Sequence, residues 1–397
     1  MESSLVTRTK WIRLYFTIVS YLCILTILIS ASLFLFYRTK HWPFTQKACL
    51  IMETICLTFK SHSYLDTNNE LFSLKLSQLT DDTNNMNSKT SNQLKDITKL
   101  KDIDSLTENE IESYLVAYGL KKVWFVTQKE EQKKFLTQIR NQLILRNTIY
   151  PNNVLLWDYL LFTCTPTLCY SPIYPRTGPT NNAMDAESTN LMANIDWIYV
   201  TEKFITANGI IVCMYLITEH SVIPILSQSN TIPYVDAVVS LYFPFFLLFI
   251  LGFYLVFDCI LNASAELTCF ADRQFYSDWW NATSFMEFSR KWNLPVHEYL
   301  LRHIYLGVFV KKFKFASGLS KALTFIFSTV FHELVLTVTT HRFKPWFTFF
   351  SLWQIPLMSI MKSPMFDNTQ LGNILTLTPF VLGIAMIAIL YAKDYNL

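Results

Sequence analysis

Glycine is scarce in this chain, with 8 among 397 residues, and no Gly-rich phosphate-binding loop can be assembled from them. No G-x-S-x-G elbow presents a serine nucleophile. The 8 cysteines form neither a C-x-x-C pair nor a zinc-ligand cadence, so they read as small apolar residues, and neither a disulfide framework nor a structural zinc is expected. Charge is also thin, at 16% of residues with a formal net of +3. The signs are interspersed, and without a long basic tract there is no electrostatic footprint for nucleic acid. No repeat recurs at a fixed period.

Apolar residues fill the space that these absences leave. They make up 51% of the chain, and 32 Phe, 20 Tyr and 10 Trp supply rings suited to membrane interfaces and lipid-lined cavities. Apolar runs at 11–36, 44–59, 204–226, 237–261, 295–310, 319–339, 346–361 and 371–391 lie near the length needed to cross hydrocarbon. The expected fold is therefore all-α, a polytopic transmembrane helical bundle of about eight spans. The first run is too long for a signal-peptide core and lacks a cleavage site, and Arg8, Lys10 and Arg13 before it favour a cytoplasmic N-terminus. Three regions follow: N-terminal spans over 1–60, a polar loop over 61–149 with amphipathic helices in its 111–149 part, and a membrane core over 150–397. Prolines between 150 and 177 mark an irregular or re-entrant stretch.

Polar residues cluster at a few places in the apolar part. Phe275-Tyr276-Ser277-Asp278-Trp279-Trp280-Asn281 packs four aromatic rings and three kinds of hydrogen-bonding side chain into seven positions. That is either an interfacial aromatic belt or an aromatic-walled surface holding an amphiphile. Trp292-Asn293-Leu294-Pro295-Val296-His297 places an amide and an imidazole four positions apart on one helical face. A helix cap by Asn293 with an interfacial His297 accounts for it equally. His332-Glu333 lies within the apolar helix 325–336, where ionisable groups are costly and normally face a bundle interior or an aqueous cavity, so a functional role is the default. The zinc-protease pattern is not completed, because Leu336 and Leu301 stand where second imidazoles would be needed, and no metal is expected. His62 and Asp66 form an isolated H-x-x-x-D spacing that reads as coincidence.

These residues resemble the membrane-bound O-acyltransferases (MBOAT), in the branch containing acyl-CoA:sterol and acyl-CoA:diacylglycerol acyltransferases. Residues 275–281 match that branch's FYxDWWN motif, and 288–297 with 301–305 look most like the fungal sterol-esterifying enzymes. Lys60-Ser61-His62-Ser63-Tyr64, Tyr150-Pro151-Asn152-Asn153, Pro166-Thr167-Leu168-Cys169-Tyr170, Tyr174-Pro175-Arg176 and Gln354-Ile355-Pro356 also fit. About one span precedes Lys60, fewer than in the family, as in a compact or shortened member.

The resemblance implies an acyl-CoA-dependent sterol O-acyltransferase of the endoplasmic reticulum membrane. His332 would be the general base and Asn293 would orient it or polarise the carbonyl. Phe275, Tyr276, Asp278, Trp279, Trp280, Asn281, Trp292, His297, Glu333 and Gln354 would line the substrate site, with Arg290, Lys291 or Arg302 as phosphate partners of coenzyme A. Acyl-CoA is then a co-substrate, no cofactor is held permanently, and two tunnels are expected to meet at His332. The other partners implied are a sterol or another lipid alcohol, membrane lipids and a second copy of the chain. Transfer to diacylglycerol is the alternative activity, and a catalytically silent lipid-binding or transport protein is the alternative of another class.

Overall fold

The computed structural model describes residues 2–84, 153–172, 174, 195–228, 230–361, 366 and 369–395. The amphipathic helices expected over 111–149 lie outside them. Among the described residues the α-helices are α1 (Glu2–Arg38), α2 (Phe44–Asn84), α3 (Leu156–Cys164), α4 (Trp197–Ile217), α5 (Ile223–Ser227), α6 (Tyr234–Tyr254), α7 (Leu261–Leu267), α8 (Phe285–Lys291), α9 (Leu294–Tyr299), α10 (Ser317–Thr340), α11 (Trp346–Ile360) and α12 (Gln370–Tyr395). Wider π-helical turns at Thr218–Val222, Leu255–Ile260 and Leu300–Lys312 continue α4, α6 and α9. The first of these stands just before Pro224, whose ring and missing N–H would break an ordinary α ladder.

Among the described residues, five helical stretches are long and apolar enough to cross a membrane: Thr17–Arg38, Trp197–Ser227, Tyr234–Leu267, Ser317–Thr340 and Gln370–Lys393. The other three expected spans are helical but take different forms. Residues 44–59 belong to the mixed-polarity α2, 295–310 fall in α9 and its π-helical continuation, and α11 has 15 residues. Within the spans, hydroxyls fold back onto the preceding turn: Ser32 Oγ donates to Leu28 O at 2.7 Å, Thr329 Oγ1 to Phe325 O at 3.0 Å, and Thr376 Oγ1 to Gly372 O at 2.8 Å. Polar groups are thus satisfied inside an apolar helix without water.

The chain separates into two compact units that interleave along the sequence. The first comprises Met1–Leu25, Leu57–Ile195 and Thr268–Asp272. Here the polar loop expected from Ser61 is instead a continuation of α2 to Asn84. The polar residues point inward at helical spacing: Lys60, Ser63, Thr67 and Asn68 are buried along with Leu71. Composition therefore suggested solvent where a hydrogen-bonded interior exists.

The second unit comprises Thr26–Cys56, Asp196–Leu267 and Arg273–Leu397. Its core includes Val222, Ala237, Val238, Leu241, Ala385 and Ile389. Ala237 and Ala385 are fully buried, so small side chains let α6 and α12 approach closely.

Candidate active site

In the second unit, residues 273–278 run without regular structure into a 3-10 turn at Trp279–Asn281, and α8 and α9 follow. Backbone bonds tie this loop to what comes after it: Ser277 N donates to Lys291 O at 2.8 Å and Leu294 N to Phe275 O at 3.0 Å. Asn373 of α12 donates from Nδ2 to Trp280 O at 2.7 Å and to Ala282 O at 2.9 Å. Gly372 beside it is required by close approach, because a Cβ there would meet Phe366 O at 2.0 Å and Thr283 O at 2.9 Å. The aromatic run is thereby fixed against the start of α12.

Its rings form one packed cluster. Trp279 meets Phe249, Phe253 and Phe288 edge-on at centroid distances of 5.6, 5.1 and 5.9 Å. Trp292 stacks on Phe288 at 6.0 Å, and Tyr276 meets Phe253 at 4.8 Å. Each such pair adds about 0.5–1.5 kcal/mol beyond its buried area. Phe275 and Trp279 are buried, whereas Trp280 and Asn281 are exposed. The buried Trp279 Nε1 has no hydrogen-bond acceptor among the described residues.

Asp278 and Lys291 are used by each other. Lys291 Nζ lies 3.0 Å from Asp278 Oδ1 and 2.7 Å from Glu287 Oε1. The hydrogen bond from Lys291, followed by that from Ser277, holds the Asp278 carboxyl below its ordinary value. Burial by itself would raise Glu287, but Lys291 and the Thr283 N–H outweigh it and hold it below 4.5. Arg290 is exposed and its Nε donates to Met286 O at 3.2 Å, which leaves its charge facing outward.

Asn293 is the N-cap of α9, its Oδ1 accepting from Val296 N at 3.2 Å. His297, one turn on, is half-buried. Gln354 is half-buried in α11. No hydrogen bond or ring contact joins His332 to Asn293, His297 or Gln354 among the described residues.

His332 departs from the buried placement expected of it, because its side chain is exposed. Successive helical residues point about 100° apart, and the interior direction is taken by Glu333, which is 5% exposed. The His332 ring lies parallel to that of Phe347, 3° off at 4.9 Å, and its Nδ1 bonds Ser328 O at 2.8 Å. A carbonyl oxygen only accepts, so Nδ1 is the donor, and in the neutral imidazole the lone pair is then on Nε2. Glu333 Oε2 accepts from Thr348 N at 2.8 Å and from Thr348 Oγ1 at 2.9 Å. The partners Phe347 and Thr348 were not foreseen. The one signal for them was Pro345 opening an apolar run, a helix start with no capping side chain of its own.

Two open clefts are described: one of about 410 Å³ lined by Trp42, Thr45, Gln46, Cys49 and Leu50, and one of about 360 Å³ in the first unit, lined partly by Ser61, Tyr64 and Tyr159. Neither includes His332, so neither corresponds to the expected meeting of two tunnels.

In the first unit the motif-like segments around Lys60 and Tyr170 are brought together. Lys60 Nζ donates to the carbonyls of Phe162, Thr163 and Thr165 at 3.1, 2.8 and 2.6 Å, capping the C-terminus of α3. Ser63 Oγ accepts from Tyr170 N at 2.7 Å, and Asn153 Nδ2 donates to Asn68 Oδ1 at 2.8 Å and to Tyr170 OH at 3.2 Å. Burial, then Asp158 and Tyr159, pushes the Tyr64 hydroxyl up to about 12. His62 lies 5.5 Å from the ring of Tyr21.

The described molecule is thus a helical, multi-span membrane protein carrying an aromatic loop and an accessible imidazole on a span. Residues 106–391 match the MBOAT, membrane-bound O-acyltransferase family, and the chain belongs to that family. Among curated proteins, it is 35% identical over 251 residues to sterol O-acyltransferase 2 of Saccharomyces uvarum, across 60% of this chain and 36% of that protein. Sterol O-acyltransferase 1 of the same yeast is 28% identical across 97% of this chain and 56% of its own length. Diacylglycerol O-acyltransferase 1-2 of Oryza sativa subsp. japonica is 34% identical across 59% of this chain and 47% of its own. The chain spans between 36% and 56% of the length of these relatives.

Proposed function

We propose that this protein transfers a fatty acyl group from acyl-CoA to the hydroxyl of a sterol, in the endoplasmic reticulum membrane and as a homo-oligomer. The observation that supports the reading is the hydrogen bond of His332 Nδ1 to Ser328 O on an exposed ring, which in the neutral imidazole would leave Nε2 to accept a proton. The base draws the proton from the sterol hydroxyl as its oxygen attacks the thioester carbonyl. Collapse of the tetrahedral intermediate expels the CoA thiolate, which takes up a proton, and leaves the ester. No acyl-enzyme is needed.

Asn293 spends its Oδ1 on its own helix, and its Nδ2 would donate to the carbonyl oxygen as charge develops there. The cluster around Trp279 would support the acyl-CoA side. Arg290 faces outward and suits a CoA phosphate better than Lys291, which is neutralised by two carboxylates. The sterol acceptor is supported by the two yeast relatives, and the rice relative supports diacylglycerol as a second reading.

Membranes containing the chain, given labelled acyl-CoA with ergosterol, cholesterol or diacylglycerol, test both. Label in steryl ester that is lost in His332→Ala is the expected result. Label in triacylglycerol selects the second reading, and saturable lipid binding without ester formation overturns both.

A further inference from the structure

The turn between α10 and α11 poses a capping problem. His341 ends α10 in the left-handed conformation, at φ 54°, and the chain enters α11 at Pro345, which occupies the N-cap position and has no side-chain acceptor. The first-turn N–H groups of a helix need acceptors from elsewhere, and in apolar surroundings water does not supply them. Trp346 N donates to Lys344 O at 2.7 Å, and Glu333 of α10 supplies the acceptor for Thr348 N, taking the Thr348 hydroxyl as well. Its carboxylate also sits where the dipole of α11 is most positive. The remaining oxygen, Oε1, is buried with no partner among the described residues.

The neighbouring contact makes this cap a functional matter. Phe347 precedes Thr348 and carries the ring on which His332 lies flat. Two consecutive residues of α10 therefore clasp two consecutive residues of α11: Glu333 on Thr348 in the interior, His332 on Phe347 at the surface. Ser328 O fixes one edge of the imidazole, and Phe347 fixes its face, but Phe347 is only as well placed as the first turn it belongs to. That turn is held by Glu333.

We infer that Glu333 is a positioning residue for His332, acting through the cap of α11 and Phe347, and that it does not bind substrate. The inference rests on His332 being the base, as proposed above. It also makes a distinction that proximity in sequence would hide, because a substrate-binding Glu333 would govern KM whereas a positioning one governs the geometry of the base.

The test uses the full chain in membranes, with Glu333→Gln, Glu333→Ala and Phe347→Ala. Gln keeps an oxygen that can accept from Thr348, so Glu333→Gln is expected to retain most of kcat. Glu333→Ala is expected to lose kcat on the order of 10²-fold, the size of effect produced by a misplaced reacting group, with KM for acyl-CoA unchanged. A readout independent of activity is the rate of carbethoxylation at His332, followed by mass spectrometry. That rate is expected to rise several-fold in Glu333→Ala and in Phe347→Ala, to stay near wild type in Glu333→Gln, and to show no further rise when the two Ala changes are combined. A raised KM with unchanged kcat, or wild-type His332 labelling in a folded Glu333→Ala protein, overturns the inference. If the wild-type chain makes no ester the general-base reading fails by itself, and the labelling comparison still decides whether Glu333 sets the imidazole.

Discussion

At the residue scale, two side chains carry more than their local sequence suggests. His332 is held through Nδ1 and one ring face, and in the proposed reaction Nε2 would be the atom that accepts the proton. A well-placed general base contributes about 10²–10⁴ in rate, so His332→Ala is expected to lower ester formation by that factor without abolishing acyl-CoA binding. Labelled ester and an equilibrium binding assay measure the two separately. Lys60 has the opposite role: it is 4% exposed and its ammonium serves three carbonyls at the end of α3. Lys60→Met keeps the apolar stem but removes their shared donor; Phe162 O and Thr165 O still accept from Thr165 N and Thr167 N, so the cost falls chiefly on Thr163 O, at about 1–3 kcal/mol if it stays dry. The expected result is a lower thermal midpoint in detergent micelles and early protease sensitivity around α3.

At the element scale, α4 is joined to the π-helical turn after α6 by a partly buried ion pair, Lys203 Nζ to Asp258 Oδ2 at 2.6 Å. The Lys203 ammonium also lies 5.2 Å from the ring centre of Tyr199. The Arg273 guanidinium lies 5.8 Å from the same ring centre, pairs with Glu266, and opens directly into the aromatic loop. Glu266 in turn accepts from Asp196 N at 2.9 Å at the start of α4. This polar ladder holds the loop's entry to two spans. Breaking a partly buried pair from one side leaves an uncompensated charge and costs less than the roughly 3–5 kcal/mol of a fully buried one, whereas replacing both partners with apolar residues is often neutral. Lys203→Met and Asp258→Leu singly are expected to lower the thermal midpoint, and the double variant to recover most of the loss. A double variant as unstable as the sum of the singles would show that the pair does not act as a unit.

At the scale of the whole molecule, acid should act through the loop that anchors the aromatic cluster. Glu287 titrates below 4.5 in the folded chain because Lys291 and the Thr283 N–H favour its charged form. A carboxyl with a depressed folded value binds its proton more readily when unfolded, so its stabilising contribution is present above about pH 4.5 and disappears as the pH falls through the folded value. Thermal midpoints measured from pH 6 down to 3 should therefore fall. In Lys291→Met, the midpoint should start lower at pH 6 and depend less on acid in that window.

Much of the site was legible because chemistry-bearing residues are conspicuous in an apolar chain. The run at 275–281, Asn293 and His332-Glu333 stand out for that reason, and long apolar stretches announce helices through the requirement that backbone groups be satisfied internally. The sequence by itself determined that the chain is helical and membrane-spanning, because that follows from composition and run length. It did not determine which polar residues face one another. Only tertiary structure made 61–84 helical and turned Ser63, Thr67 and Asn68 inward, paired Asp278 with Lys291, and turned Glu333 inward and His332 outward on the same helix turn. The physical reason is that composition fixes the solvent a segment can tolerate, whereas a hydrogen bond or a parallel ring contact needs two groups from distant positions to meet within a few ångströms, and only the packing of the helices decides that.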